Sequence, residues 1–535
     1  MSDPRALLLI AQLLAVVLVA RRWLRPTKAL DHIPRWVLAA GAAAFVMALT
    51  TWVWHGLRAP PVVDDEAAYV LQADLFAHGR WKRASPQPSA AFTQPAVLVT
   101  PVLAPKMAPG HALLLAPGVA AGLPGIVPIV LSGTTAALIM LIACELQSPT
   151  TALLTVVLWI TAAGQMRWRA SYFSEITTGA LWMLGWYALL QWRRSRRSGW
   201  LLVLAAATGW GAVTRPLTML AFAVPVGVVV MRDIARTGLW RQLAGALAVG
   251  TVCLGILPLQ NVEVLGNWRQ SPLSLYTRQY MPYDVVGFGL DSTPPSIGLP
   301  ATLQAAQQPF IARHREHVPS ALPGVLMQRL RLLWLSAFGD WRVVWIPVAA
   351  VGLVVMGGAG WFAVASMLML YLAYLFYAHE AHWTIYYLEA SPVPAFVCAV
   401  GLARLLGLAT GGGHPLVTAL MTAAATLVVA FPDLDTSRVY RASAQRPFRE
   451  MESAAAATGS DRVLVFVRYS AAHDPDVNLI RNVARPDRAR LITAYDLGAA
   501  SDARVITAYP GRRVLYWDGS TNRALPAPSM SAPSP

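Results

Sequence analysis

The sequence predicts an all-α polytopic membrane protein of the kind with about twelve spanning helices, followed by a small soluble C-terminal domain of α/β or β character. Three observations predict it. Of 535 residues, 56% are hydrophobic and only 13% charged, against roughly 45–50% and about 25% in soluble domains; mean hydropathy is +0.48. Apolar runs recur along the whole chain, many near the ~20 residues that ~30 Å of hydrocarbon requires at 1.5 Å per residue. Charge becomes frequent again only after Pro432.

In order, the first apolar stretch runs from Ala6 to Ala20. It has no small-residue cleavage site and its positive charges follow it, so it is expected to be retained. Arg21, Arg22, Arg25, Lys28 and Arg35 then form a basic connection, which the positive-inside rule makes cytoplasmic. The run at 37–54 therefore exits on the outer face, and 56–110 is a first outer loop. Runs near 126–144, 151–165, 172–192, 200–213, 217–231 and 242–260 alternate so that the basic segments 193–197 and 232–241 return inside. A large outer loop, 262–340, ends in Leu322 to Phe338, which reads as an amphipathic helix at the interface with Arg329 and Arg331 among leucines. Arg167 and Arg169 read as interfacial too. Runs at 343–357, 361–378, 387–407 and 415–431 complete a membrane domain, 1–431.

The remainder, 432–535, reads as an extracytoplasmic soluble domain. Arg462 to Arg468 and Arg512 to Trp517 have the composition of short strands, and the Pro/Ser/Ala-rich tail from Leu525 is expected to be disordered. The tetrapeptide Ile-Thr-Ala-Tyr occurs at 492–495 and again at 506–509, too short a match for a repeat. The formal net charge is +16; much of it falls in short connections that meet anionic headgroups, so membrane lipids and not nucleic acid are the partners it implies. Cys144, Cys253 and Cys398 lie inside apolar runs without disulfide or zinc spacing.

Two polar clusters stand out in the first outer loop. Asp64, Asp65 and Glu66 are consecutive where the loop turns into a helix, and Lys106-Met107-Ala108-Pro109-Gly110-His111 precedes the next apolar run. Acids at a helix start cap it and complement its dipole, which explains one or two of the three. On a helix starting near Asp64, Asp65, Tyr69, Gln72 and Phe76 share one face, where a carboxylate, a phenol and an amide would meet a ligand together. Lys106 beside a rigid turn suits a lipid-linked phosphate. Arg215 sits between two apolar runs, where charges are usually paired or functional, and Glu175 opens a span. His379, Glu380 and His382 lack metal-site spacing. Three adjacent carboxylates are a set a divalent cation accepts, but none is assumed.

With these motifs the chain resembles the GT-C glycosyltransferases, in the group of the protein O-mannosyltransferases and the lipid A aminoarabinose transferase. The matching elements are Asp65-Glu66-x-x-Tyr69, Lys106-x-x-Pro109-Gly110, Ser174-Glu175, Thr214-Arg215-Pro216 and Tyr386-Tyr387-Leu388-Glu389. The family often has an aromatic or a second proline after the lysine, where this chain has Met107-Ala108. The resemblance implies an inverting transferase that takes a sugar from a polyprenyl-phosphate donor at the outer face of the cytoplasmic membrane and passes it to a hydroxyl of a glycan, lipid or protein. It implies Asp65 as general base with Glu66 or Asp64 as helper, Lys106 and Arg215 on the donor phosphate, and Tyr69, His111, Glu175, Tyr386 and Tyr387 around the substrates. The alternative is a transporter or lipid flippase with Asp65 and Arg215 as a coupling pair.

Overall fold

A computed structural model describes residues 4–22, 33–339, 341–411, 415–470, 473 and 477–526. Arg25 and Lys28 of the first basic connection, and the tail from 527, lie outside the described residues. The first helices are α1 (Pro4–Arg22), α2 (Arg35–Trp54), α3 (Asp64–Ala77), α4 (Pro109–Ala120), α5 (Ile126–Leu146), α6 (Pro149–Ile160) and α7 (Ala163–Arg169). Next come α8 (Glu175–Ser195), α9 (Ser198–Thr214), α10 (Pro216–Thr237), α11 (Trp240–Leu254), α12 (Ile256–Leu265), α13 (Pro272–Tyr280) and α14 (Ala301–Glu316). The last are α15 (Leu322–Phe338), α16 (Trp345–Val355), α17 (Gly358–Tyr374), α18 (Pro392–Thr410), α19 (Pro415–Ala457) and α20 (Ala499–Ala508). Strands are β1 (Arg83–Ala84), β2 (Val97–Leu98) and β3 (Val102–Pro105) in the first loop, then β4 (Val463–Arg468), β5 (Leu491–Tyr495), β6 (Arg513–Asp518) and β7 (Arg523–Leu525).

The chain divides into two compact units, the first made of Met1–Gly56, Ile126–Gly255 and Pro319–Arg441, the second of Leu57–Gly125, Ile256–Val318 and Ala442–Pro535. This differs from a boundary at Pro432. A proline deletes one N–H donor but does not end a helix that tertiary packing holds, and α19 runs through it for 43 residues. The division falls later, inside that helix.

The first unit is a helical bundle for a membrane. Among the described residues seven helices are long and apolar enough to cross, or eight if the pair α6 and α7, bent by 76°, is one span. Three shorter apolar helices, α9, α16 and α17, add to these. Large apolar side chains face outward, Val252 at 77% and Val354 at 84% exposure, an arrangement that lipid tolerates. Close crossings use glycine: a Cβ on Gly352 of α16 would collide with the Val397 carbonyl of α18, and one on Gly401 of α18 with the Val348 carbonyl of α16. Small residues at both positions let the backbones touch, the contact on which helix association in lipid depends.

The second unit is built from three separated pieces of chain. Its first-loop part packs α3 on a small antiparallel sheet of order β1-β3-β2, with Leu71, Leu75, Val97, Leu98, Leu103 and Tyr276 in one core. Its C-terminal sheet has order β5-β4-β6-β7; β4 runs parallel to β5 and β6, and β7 is antiparallel to β6. Both faces of β4 are covered, which accounts for its unbroken Val-Leu-Val-Phe-Val run. Val463, Val465 and Val467 meet Phe448 and Met451 of α19. Leu464 and Phe466 meet Phe92 of the first loop and Val505 of α20.

Candidate active site

The two clusters singled out in the first loop both belong to the second unit. Helix α3 begins at Asp64, so all three acids occupy its first turn, where four backbone N–H groups lack helical partners. Glu66 is fully buried and its Oε2 accepts from the Val62 N–H at 3.3 Å. The Asp64 carboxylate accepts from Arg481 Nη1 at 2.9 Å, an ion pair between the first loop and the C-terminal part of the unit. Asp65 lies between them and is half-buried. Tyr69 is buried, and its ring meets that of buried His111 on α4 edge-on at 4.9 Å between centroids.

Gln72 shares the face of Asp65 and Tyr69, and its amide is half engaged, with Oε1 buried and without a hydrogen-bond partner among the described residues. Its Nε2 donates to the Met107 carbonyl at 2.9 Å, and Gln260 Nε2 donates to the same oxygen at 2.8 Å. The Lys106 N–H donates to the Ala96 carbonyl at 2.9 Å. Three hydrogen bonds thus pin the turn that carries Lys106. Its Nζ lies 4.7 Å from the centre of the Tyr276 ring, and among the described residues it makes no ion pair. Tyr276 is itself held, its hydroxyl accepting from the Ala96 N–H at 2.9 Å. Burial raises its pKa, so at physiological pH it stays a neutral phenol beneath a cation, a favourable pairing.

A different polar cluster lies in the first unit. Arg215 caps α9 and precedes α10. Within this unit its Nη1 lies 2.6 Å from Glu175 Oε1 and its Nε 3.9 Å from Glu389 Oε1. Nη2 donates to the Tyr374 hydroxyl at 2.7 Å, Nη1 to Ser174 Oγ at 3.3 Å and Nε to Thr218 Oγ1 at 3.3 Å. Glu389 is buried and accepts from Thr178 Oγ1 at 2.5 Å. The ring of half-buried Tyr386 lies 5.5 Å from the Arg215 guanidinium carbon. Tyr387 is buried and engaged, its hydroxyl 3.0 Å from His379 Nε2 and accepting from Arg329 Nη1 at 3.4 Å.

Two expectations about arginines need correction. Arg329 is buried in protein and not presented to headgroups. It is 2% exposed and donates to the carbonyls of Tyr374 at 2.6 Å and Tyr377 at 2.9 Å. Arg169 is equally buried, stacked 4.1 Å over Trp159 and donating to the Trp159 carbonyl and to Gln165 Oε1, each at 2.8 Å. A guanidinium in an apolar unit needs acceptors for its N–H fork, and carbonyls at breaks in the helices supply them for the terminal nitrogens, while the Nε of each has no partner among the described residues. Among the described residues no three His, Cys, Asp or Glu side chains gather where they could hold a metal.

The helical bundle and the second unit define a class by fold alone, that of the ArnT structures. Within that class the chain is similar to the crystal structure of ArnT from Cupriavidus metallidurans bound to undecaprenyl phosphate, with 14% sequence identity and a TM-score of 0.52, covering 90% of this chain and 89% of that one. It is similar also to ArnT from Cupriavidus metallidurans in the apo state, again at 14% identity and the same coverage of both chains, with a TM-score of 0.50. At this identity the likeness is one of fold. No family model and no curated protein matches the chain.

Proposed function

We propose that the protein is an inverting glycosyltransferase that takes a sugar from a polyprenyl-phosphate donor and passes it to an acceptor hydroxyl at the outer face of the cytoplasmic membrane. The observation that carries this reading is the setting of Lys106: a half-buried cation with no carboxylate partner among the described residues, on a turn fixed by Gln72 and Gln260, with Tyr276 beneath it. Such a cation is prepared for an anion that arrives from elsewhere. A departing lipid phosphate needs positive charge aimed at the oxygen where negative charge develops. The fold it shares with ArnT, solved with undecaprenyl phosphate, supports a phosphate on a polyprenyl chain as that anion.

In this reaction the acceptor oxygen attacks the anomeric carbon from the face opposite the phosphate. The carbon–oxygen bond to phosphate breaks, and its electrons leave with the phosphate. Asp65 takes the hydroxyl proton as general base. Asp64 and Glu66, each already bound in the first turn of α3, help by holding that turn. Tyr69 and His111 form a buried aromatic wall beside the base for the sugar or acceptor. Arg215, Glu175 and Tyr386 make up a second polar constellation, in the first unit, where Glu175 and Glu389 hold Arg215 and Tyr387 holds the loop from which Tyr386 projects. The positive-inside pattern of the basic connections supports the outer face.

The buried group of Arg215, Glu175 and Glu389 is the one feature that favours a transporter, since transporters keep ionisable residues deep in the bundle. Transfer of radiolabel from a panel of polyprenyl-phosphate sugars into native membranes, with the intact protein and with Asp65→Asn, separates the two. Label in an acceptor that disappears with Asp65→Asn establishes the transferase. Donor moved across vesicles without cleavage establishes transport instead.

A further inference from the structure

The first unit also contains a cavity of about 260 Å³. It lies among the C-terminal halves of α5, α8 and α10 and the N-terminal ends of α17 and α18, and its wall is apolar: Ile142, Met183, Trp186, Val229, Phe362 and Phe396. Arg193, Arg232 and Asp233 line it as well. Asp233 Oδ2 is shared at 3.0 Å by Arg193 Nε and Arg196 Nη1, so two arginines face one carboxylate and Arg232 adds a further positive charge to the lining. Arg232 is exposed and makes no ion pair among the described residues. One end of an otherwise greasy slot is therefore cationic.

Two further details describe the occupant. Trp186 is buried, and its indole N–H has no acceptor among the described residues; a buried donor without a partner is unfavourable. Trp186 precedes Arg193 by two helical turns on α8, about 10 Å along the axis at 1.5 Å per residue. An ester carbonyl, lying below a phosphate in a lipid, offers the missing acceptor between those levels. The flank of the slot is formed in part by Gly358 and Ala359, small and exposed at the start of α17, which leaves a side entry from the bilayer. The volume corresponds to only eight or nine groups of roughly water size, at ~30 Å³ each, enough for part of one acyl chain and far short of a polyprenyl tail.

We propose that this cavity binds one acyl chain of an anionic glycerophospholipid, with its phosphate on Arg193 and Arg232. The basic segments 193–197 and 232–241 are the ones the positive-inside rule assigns to the cytoplasm, so the lipid comes from that leaflet, where anionic headgroups meet juxtamembrane arginines. The site is separate from any sugar transfer, and it stands or falls independently of the glycosyltransferase reading.

The test uses the full-length protein purified in mild detergent. Native mass spectrometry is expected to show about one phosphatidylglycerol retained per chain, and added phosphatidylglycerol is expected to raise the unfolding temperature more than phosphatidylcholine with the same chains. Arg232→Gln should lower the preference for phosphatidylglycerol roughly tenfold, the loss of one charge-assisted contact, without unfolding the protein, since Arg232 holds no ion pair among the described residues. Gly358→Leu, at a position where a Cβ meets nothing within 4 Å, should close the side entry and reduce retention with a normal unfolding profile. Equal stabilisation by both lipids, retention of polyprenyl phosphate in place of a phospholipid, or retention unchanged in both variants would overturn the proposal.

Discussion

The two polar clusters of this protein treat charge in opposite ways. In the first unit Arg215 is held by Glu175 and Glu389, with hydroxyls of Ser174, Thr218 and Tyr374 on its remaining N–H groups. In the second unit Lys106 has an aromatic face for company and no ion pair among the described residues, while Asp65 stands half-buried between two carboxylates with capping or pairing roles. A charge whose partners are supplied by its own unit stabilises a shape. A cation such as Lys106, positioned without a carboxylate among the described residues, is available to a substrate. The difference predicts that substitutions in the first cluster act mainly on stability and those in the second mainly on turnover.

The sharpest break of that contrast is Asp65→Asn. It should lower sugar transfer about 10²- to 10⁴-fold, the usual worth of a general base, with the unfolding temperature unchanged; a variant that transfers normally moves the base elsewhere. Next is Arg215→Met, which leaves two buried carboxylates without their cation. Removing one partner of a buried pair costs about 3–5 kcal/mol, to be read from chemical unfolding in detergent. Adding Glu389→Gln to it should recover part of the loss, and no recovery would mean that the charges are not coupled.

A further carboxylate sharpens the comparison because it is buried with no ion pair among the described residues. Asp502, in the C-terminal part of the second unit, is 2% exposed, and burial, reinforced by Asp496, raises its pKa to about 6, partly offset by a hydrogen bond from the Leu497 N–H. The folded state therefore favours the protonated acid. Its contribution to stability is complete below pH ~4, the unfolded value, and is lost as pH rises through about 6. Asp502→Asn should stabilise the protein above pH 7 by at most about 3 kcal/mol and make little difference near pH 4; unfolding midpoints across that range check it. The smallest effect is expected from Lys106→Ala, about 10- to 100-fold in kcat/KM for the donor. A loss of stability instead would place Lys106 among the structural charges.

Much of the bundle was legible because a spanning helix must be a long apolar run, and the observed helices follow those runs. The strands β4 and β6 were legible for the same reason, as apolar segments between turns. What was not legible depended on partners far away in the chain. Arg329 and Arg169 look like headgroup ligands beside leucines and tryptophans, and only the carbonyls that approach them from elsewhere show otherwise. Reading Arg329 as a charge inside an apolar unit, and asking for its acceptors, would have found it. Glu389 was visible in its Tyr-Tyr-Leu-Glu motif, but its pairing with Arg215 spans 174 positions and leaves no local trace. The repeated Ile-Thr-Ala-Tyr makes the point directly: at 492–495 it lies in β5, while at 506–509 it closes α20. The same four side chains obey whichever neighbours cover them.

The first loop and the C-terminal part of the second unit are joined by residues very far apart in the chain. Asn482 Nδ2 donates to the Phe92 carbonyl across 390 positions, Arg83 to the Val483 carbonyl across 400, and Arg481 to Asp64 across 417. At a synthesis rate of about 5–20 residues per second, the acid-bearing helix emerges roughly 20–80 s before the residues that secure it. A nascent chain, or one cut short before β4, carries Asp65 on a helix whose first turn has not yet received its arginine. The helix turn that carries Asp65 would then gain its last bonds only when translation is nearly finished, which makes the last hundred residues a timer for the first hundred.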